Sequence, residues 1–153
     1  MKICFCCLLL SLCTVGYTPF SENDWHTNID TAKEIAQQND QAILMVFAGS
    51  DWCRPCMKFK KDILQTDAFQ AFAEKEVLIL YLDFPARKKN RLSKEQTKHN
   101  ELLAEKYNNK GLFPHLVLLD SEARLLSNMK YAKQTPEEFV GELQAILQQK
   151  KTE

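Results

Sequence analysis

The chain has little of what marks a repetitive or unfolded polymer. Glycine occurs 4 times and proline 5 times in 153 residues, with no internal repeat and no low-complexity segment. It also lacks a net charge. Lys+Arg and Asp+Glu are both 20, so nothing in the composition asks for nucleic acid or an anionic membrane as partner. The first apolar stretch is shorter than the roughly 20 residues that span a bilayer. Past that stretch only Cys53 and Cys56 remain of the 6 cysteines, which excludes a fold stapled by a disulfide framework. What is left is ordinary: 45% apolar residues, enough for the core of one domain.

The N-terminus reads as an address. Lys2 is followed by Ile3 to Val15, almost entirely apolar or cysteine, and then by the small residues Thr14-Val15-Gly16 before Tyr17. This is the layout of a secretory signal peptide over residues 1–16, leaving residues 17–153 as a single exported domain with its core at about 29–147. The alternative is a buried N-terminal element. Cys13 after Leu10-Ser11-Leu12 resembles a bacterial lipobox, but Leu12 stands where a small residue is wanted, so lipid anchoring at Cys13 is the less favoured variant.

Trp25 is expected to anchor the lead into the domain. Apolar spacing predicts a helix over Asp30 to Asn39, and Ala42 to Ala48 is a continuous apolar run suited to a strand buried on both faces. A helix is expected from Cys56 through Leu64, a further turn from Thr66-Asp67 through Phe72, and a second buried strand over Val77 to Leu82. The segment Arg87 to Lys98 is rich in cations at its start (Arg87, Lys88, Lys89, Arg91, Lys94) and reads as a solvated loop in preference to a docking patch for an acidic partner. Ser93-Lys94-Glu95-Gln96 and Thr135-Pro136-Glu137-Glu138 are capping boxes that open two more helices. The strand His115 to Leu119 and a hairpin into Arg124 to Met129 lie between those helices, and the Gln148 to Glu153 tail is expected to fray. Early strands separated by a helix, then a late hairpin, predict an α/β fold. It would have a mixed central sheet with helices on both faces.

Trp52-Cys53-Arg54-Pro55-Cys56 follows the first strand where a helix begins. A helix N-terminus presents unpaired N–H groups and partial positive charge, which stabilise a thiolate, the reactive form of cysteine. Arg54 adds a cation, and Pro55 suits a first helical turn. Cys53 is therefore predicted to be the more exposed and acidic sulfur, attacking a substrate disulfide, with Cys56 resolving the mixed disulfide. A pair this close in sequence constrains little chain, so chemistry explains it better than stability.

Trp-Cys-x-x-Cys after an inner strand, with a proline before the third strand, resembles the thioredoxin superfamily over Ile29 to Leu147. Phe47-Ala48-Gly49-Ser50-Asp51-Trp52-Cys53 and Leu82-Asp83-Phe84 are similar to exported thioredoxin-like proteins and to the C-terminal domain of the membrane electron carrier DsbD. The resemblance implies a three-layer sandwich without a cofactor. It makes Cys53 and Cys56 the catalytic pair and Pro114 a cis-proline that, with Trp52 and Phe113, meets substrate. Partners would be disulfide-containing proteins and a membrane electron donor of the DsbD type, the chain acting as a monomer in the periplasm.

The departures are a missing inner-strand acid, with Met45-Val46-Phe47 in its place, Lys60 and Lys61 where a helix proline often stands, and His115 after Pro114. His115 could tune the pair or be a hydrogen-bonded rim residue, Trp52 could shape the rim or fill core, and Asp51 could tune the thiols or cap the turn.

The favoured activity is reduction of protein disulfides. Oxidation, isomerisation and peptide binding without turnover are alternatives, and a zinc module on Cys53 and Cys56 is a weaker one.

Overall fold

Strand β1 (Ala42–Ala48) is buried at every residue. In the computed structural model, which describes residues 25–151, that strand is an inner strand of a four-stranded sheet ordered β2-β1-β3-β4. A continuous apolar strand can only be satisfied this way, with neighbours on both edges and a layer on each face. β2 (Val77–Asp83) runs parallel to β1 with Ala42 opposite Val77 and Ala48 opposite Asp83. β3 (His115–Leu119) runs antiparallel on the other side, pairing Phe47 with His115, and β4 (Leu125–Met129) closes the sheet through a hairpin irregular at Leu118/Leu119. The mixed sheet expected from the sequence is therefore present.

Alternation along β1 divides the core in two. Leu44, Val46 and Ala48 join Cys53, Cys56, Phe59, Phe69 and Phe139 in one layer. Ile43, Met45 and Phe47 join Ala32, Ala36 and Leu103 in the other. The first layer is roofed by α2 (Arg54–Phe59), α3 (Asp67–Glu76) and α5 (Pro136–Lys151), the second by α1 (Ile29–Asn39) and α4 (Lys94–Tyr107). This is the three-layer sandwich. Trp25 lies half-buried against the first layer, its ring 5.1 Å from that of Tyr81, while the backbone of His26 bridges to β2.

Local signals set the helix starts. Asn28 Oδ1 accepts the N–H groups of Asp30 and Thr31, and Ser93 Oγ accepts that of Gln96. At Thr135 the capping box closes in both directions: Thr135 Oγ1 accepts from Glu138 N at 3.2 Å and Glu138 Oε2 from Thr135 N at 2.8 Å.

The structure departs from expectation in four places. The motif helix begins at Arg54, two residues before Cys56, because Cys53 caps it. Beyond Phe59 it widens into a π-helical turn over Lys60–Leu64, closed by Gln65 N donating to Lys60 O at 2.9 Å. The distortion arises without a proline and keeps Ile63 and Leu64 fully buried. The basic segment contains a 3-10 turn at Lys88–Asn90 ahead of α4, which starts at the Ser93 capping box as expected. The last helix continues to Lys151, since glutamine and lysine are good helix formers. The signal-peptide region, residues 1–16, and Cys13 with it lie outside the described residues. No helix among the described residues is long and apolar enough to cross a membrane.

Phe139 is fully buried, its ring 5.4 Å from that of Phe59 and 6.1 Å from that of Phe69, and it ties α5 to the motif helix and α3. Phe139→Ala is expected to lower unfolding stability by about 3–5 kcal/mol in a urea titration. A loss below about 1 kcal/mol would contradict this packing role.

Candidate functional site

β1 ends at Ala48 and the chain turns through Gly49–Trp52, with Cys53 N donating to Gly49 O at 3.0 Å. The turn delivers Cys53 to the N-cap of α2 in an extended conformation, φ −87° and ψ 93°. Its Sγ accepts the N–H of Cys56 at 3.2 Å. The sulfur thus sits on one of the donors that an α-helix leaves unpaired, as the charge argument requires. Pro55 occupies the first turn, where a missing N–H costs nothing. Cys53 and Cys56 are joined as a disulfide with Cα atoms 5.3 Å apart. The difference in exposure between them is small, 4% against 1%. Cys53 is the outer sulfur by rank, but it turns inward over Cys56 N–H and is far less open than the sequence suggested. Arg54 is exposed beside it.

Trp52 is 47% exposed and held from three sides. Its Nε1 donates to Phe84 O at 2.7 Å. Its ring meets Phe113 edge-on at 5.2 Å, and Phe113 meets Phe84 likewise at 5.4 Å. The Phe113–Pro114 bond is cis. Trp52 and Phe113, each immediately before a motif residue, thus bring the Cys-x-x-Cys turn and the cis-proline segment to one rim. Trp52 is a rim residue and not core filling. Gly49 is required here by close approach, since a Cβ on it would lie 2.3 Å from Trp52 Cε2.

Asp51 caps no helix; its carboxylate is taken up by the loop after β2. Its carboxylate accepts Ala86 N at 2.9 Å, Arg87 N at 3.0 Å and Asn90 Nδ2 at 2.8 Å. The hydrogen bond from Ala86, followed by those from Arg87 and Asn90, holds this carboxyl below its ordinary pKa. One residue earlier, Ser50 N and Oγ both donate to Asp83, at 2.8 and 2.6 Å. The loop after β2 is therefore fastened to the motif turn by Ser50, Asp51 and Trp52 in succession. Sequence reasoning picked out Leu82-Asp83-Phe84 by resemblance but missed that Asp83, Phe84 and the loop after them hold the motif turn. The signals available, that resemblance and the end of the apolar run at Asp83-Phe84-Pro85, gave no hint of the partner.

His115 is not brought to the pair. It lies opposite Phe47 in the sheet, with ring centroids 5.9 Å apart, and Phe47 belongs to the layer away from the sulfurs. Its Nε2 stands 3.0 Å from Tyr107 O, and since a carbonyl only accepts, Nε2 carries the proton. This is the hydrogen-bonded rim histidine, on the far face of the sheet.

Two measurements test this fastening. Gly49→Ala is expected to displace the Trp52 ring and change its fluorescence, with the fold retained; an unchanged spectrum would contradict the close approach. The amides of Ala86 and Arg87 are expected to exchange faster in Asp51→Ala. In the parent chain their protection persists as pH falls through the ordinary carboxylate value of 3.8 and is lost only below it, since the folded group has the lowered pKa.

A family model described as thioredoxin-like matches residues 24–121. "Disulfide bond reductase DsbH" of Chlamydia pneumoniae is 34% identical over 76% of this chain and 68% of its own length. A solved structure titled "DsbH Oxidoreductase" superposes with a TM-score of 0.73 at 27% identity, covering 90% of this chain and 95% of that one. The oxidised C-terminal domain of DsbD from Neisseria meningitidis, 15% identical, shares the fold with a TM-score of 0.53 over 79% of this chain and 97% of its own. With a Cys-x-x-Cys disulfide at the head of α2 and a cis-proline in the adjoining segment, the chain belongs to the thioredoxin-like family and is a thiol–disulfide oxidoreductase.

Proposed function

We propose that the chain reduces disulfides in exported proteins through Cys53 and Cys56. The observation that carries this reading is the hydrogen bond from Cys56 N to Cys53 Sγ at the helix start, which favours an anionic Cys53 once the pair is reduced. The Cys53 thiolate attacks a substrate disulfide. One substrate sulfur leaves as a thiolate and takes a proton from water, and the other is held as a mixed disulfide. Cys56, deprotonated, attacks Cys53 Sγ, the mixed disulfide breaks, and the second substrate thiol is released. Two electrons pass to the substrate and the Cys53–Cys56 disulfide forms. A dithiol donor restores the pair by the same exchange in reverse.

The direction is supported by the reductase name carried by the 34%-identical relative. A membrane dithiol donor of the DsbD type fits the resemblance and an exported address. On this reading residues 1–16 are removed as a signal peptide and residues 17–153 act as a monomeric periplasmic domain. Trp52, Phe113 and Pro114 line the place where substrate lies, and Arg54 and Pro55 tune Cys53. No cofactor takes part.

Cys53→Ser is expected to abolish insulin-disulfide reduction, and Cys56→Ser to accumulate a mixed disulfide visible on a non-reducing gel. Activity surviving Cys53→Ser would refute the assignment. The reduction potential is expected nearer thioredoxin's, about −270 mV, than DsbA's, about −120 mV; the latter value would reverse the direction.

A further inference from the structure

A cleft of about 490 Å³ opens between the loop after β2 and the first two turns of α4. Its walls include Phe84 and Pro85 on one side and Arg91, Lys94 and Lys98 on the other. All three cations are exposed, and none takes part in a salt bridge among the described residues. Arg87, Lys88 and Lys89 continue the basic run along the same loop. Two acids also line the cleft: Asp83, whose carboxylate is engaged by Ser50, and Glu101. In a chain whose formal charge is zero, this is a concentration of unpaired positive charge beside Phe84, Pro85 and Leu92.

Its position matters more than its charge. Phe84 belongs to both the cleft and the redox rim: its carbonyl accepts from Trp52 Nε1 and its ring meets Phe113 edge-on. Asp51 and Trp52, the two residues before Cys53, fasten the cleft's upper wall to the motif. The cleft wall is therefore held in a fixed position relative to the motif turn.

We propose that this cleft docks an acidic segment of the disulfide-bearing protein that the chain reduces. The inference rests on the reductase reading and names a recognition element for it. Carboxylates pair with Arg91, Lys94 and Lys98 while apolar side chains meet Phe84 and Pro85, and the substrate disulfide is led to the rim at Trp52. Such complementarity acts mainly on the rate of encounter and is screened by salt.

The test uses two peptides with the same internal disulfide, one flanked by four glutamates and one by four glutamines, together with neutral bis(2-hydroxyethyl) disulfide. Single-turnover rates are followed with the reduced full chain. The glutamate peptide is expected to react about tenfold faster at low ionic strength, the advantage shrinking towards unity in high salt. In the triple variant Arg91→Glu, Lys94→Glu, Lys98→Glu the preference is expected to reverse, with the rate on bis(2-hydroxyethyl) disulfide unchanged. The salt series on the unaltered chain needs no variant to fold. Equal rates for the two peptides, or a glutamate preference that survives the triple substitution, would overturn the docking site and leave the reductase reading intact. Failure to reduce any of the three disulfides would overturn the reductase reading, and the docking inference with it.

Discussion

A strand buried on both faces can be placed in only one kind of position, and β1 holds it. All seven of its residues are buried, so it must be flanked by β2 and β3 and covered by helices above and below. The chain leaves such a strand at its C-terminal end, where the parallel partner β2 also ends and its connection departs. The motif turn and the loop after β2 are thereby neighbours before any side chain intervenes. Ser50, Asp51 and Trp52 then bind them with five hydrogen bonds to Asp83, Phe84, Ala86 and Arg87. The redox turn inherits its rigidity from the sheet, and the rim inherits its shape from the turn.

The same strand decides what the site lacks. Positions 45–47 carry Met, Val and Phe, so no carboxylate rises from β1 beneath Cys56. Val46, which faces the sulfur layer, pairs with Tyr81 of β2, and Tyr81 packs against that layer with Lys60 Nζ 5.8 Å above its ring. The polarity on this side thus comes from β2 and the motif helix. An apolar strand under a buried sulfur raises the cost of charging it. Cys53 shares that apolar layer and differs from Cys56 in capping the helix, its sulfur accepting Cys56 N–H.

Legibility in the sequence followed the range of the interaction. β1 and β3 could be bounded to the residue because a continuous apolar run ends where polar or turn residues begin. Capped helices were equally plain, since Ser93 and Thr135 act on amides three residues away. The motif itself needed no structure. What could not be read was whatever joins distant segments: Asp51 reaches Ala86, Arg87 and Asn90, and Trp52 reaches Phe84, across more than thirty residues. A lone aspartate before a tryptophan looks the same whether it caps a turn or anchors a loop. His115 shows the other limit. Its closeness to Pro114 in sequence suggested closeness to the sulfurs, but one step along a strand reverses the face, and the alternation that put Phe47 away from Cys53 put His115 away as well.

The π-helical turn fits this division of labour. The electrostatic benefit of a helix at Cys53 resides in its first-turn N–H groups and fades within that turn. A widening at Lys60–Leu64 therefore leaves the first turn at Cys53 untouched. What it changes is the far end of the helix. One extra residue in the turn lets Phe59 reach Tyr131 and Phe139 while Ile63 and Leu64 both stay in the core. Ile63 keeps the face of Cys56 and Phe59, seven and four residues before it, and the wider turn brings Leu64 into the core beside it. The near end of the helix serves the sulfur and the far end serves packing. Phe139 of α5 meets Phe59 ahead of the widened turn, so the packing of α5 reaches the motif helix itself, while the turn beyond it keeps Ile63 and Leu64 in the core.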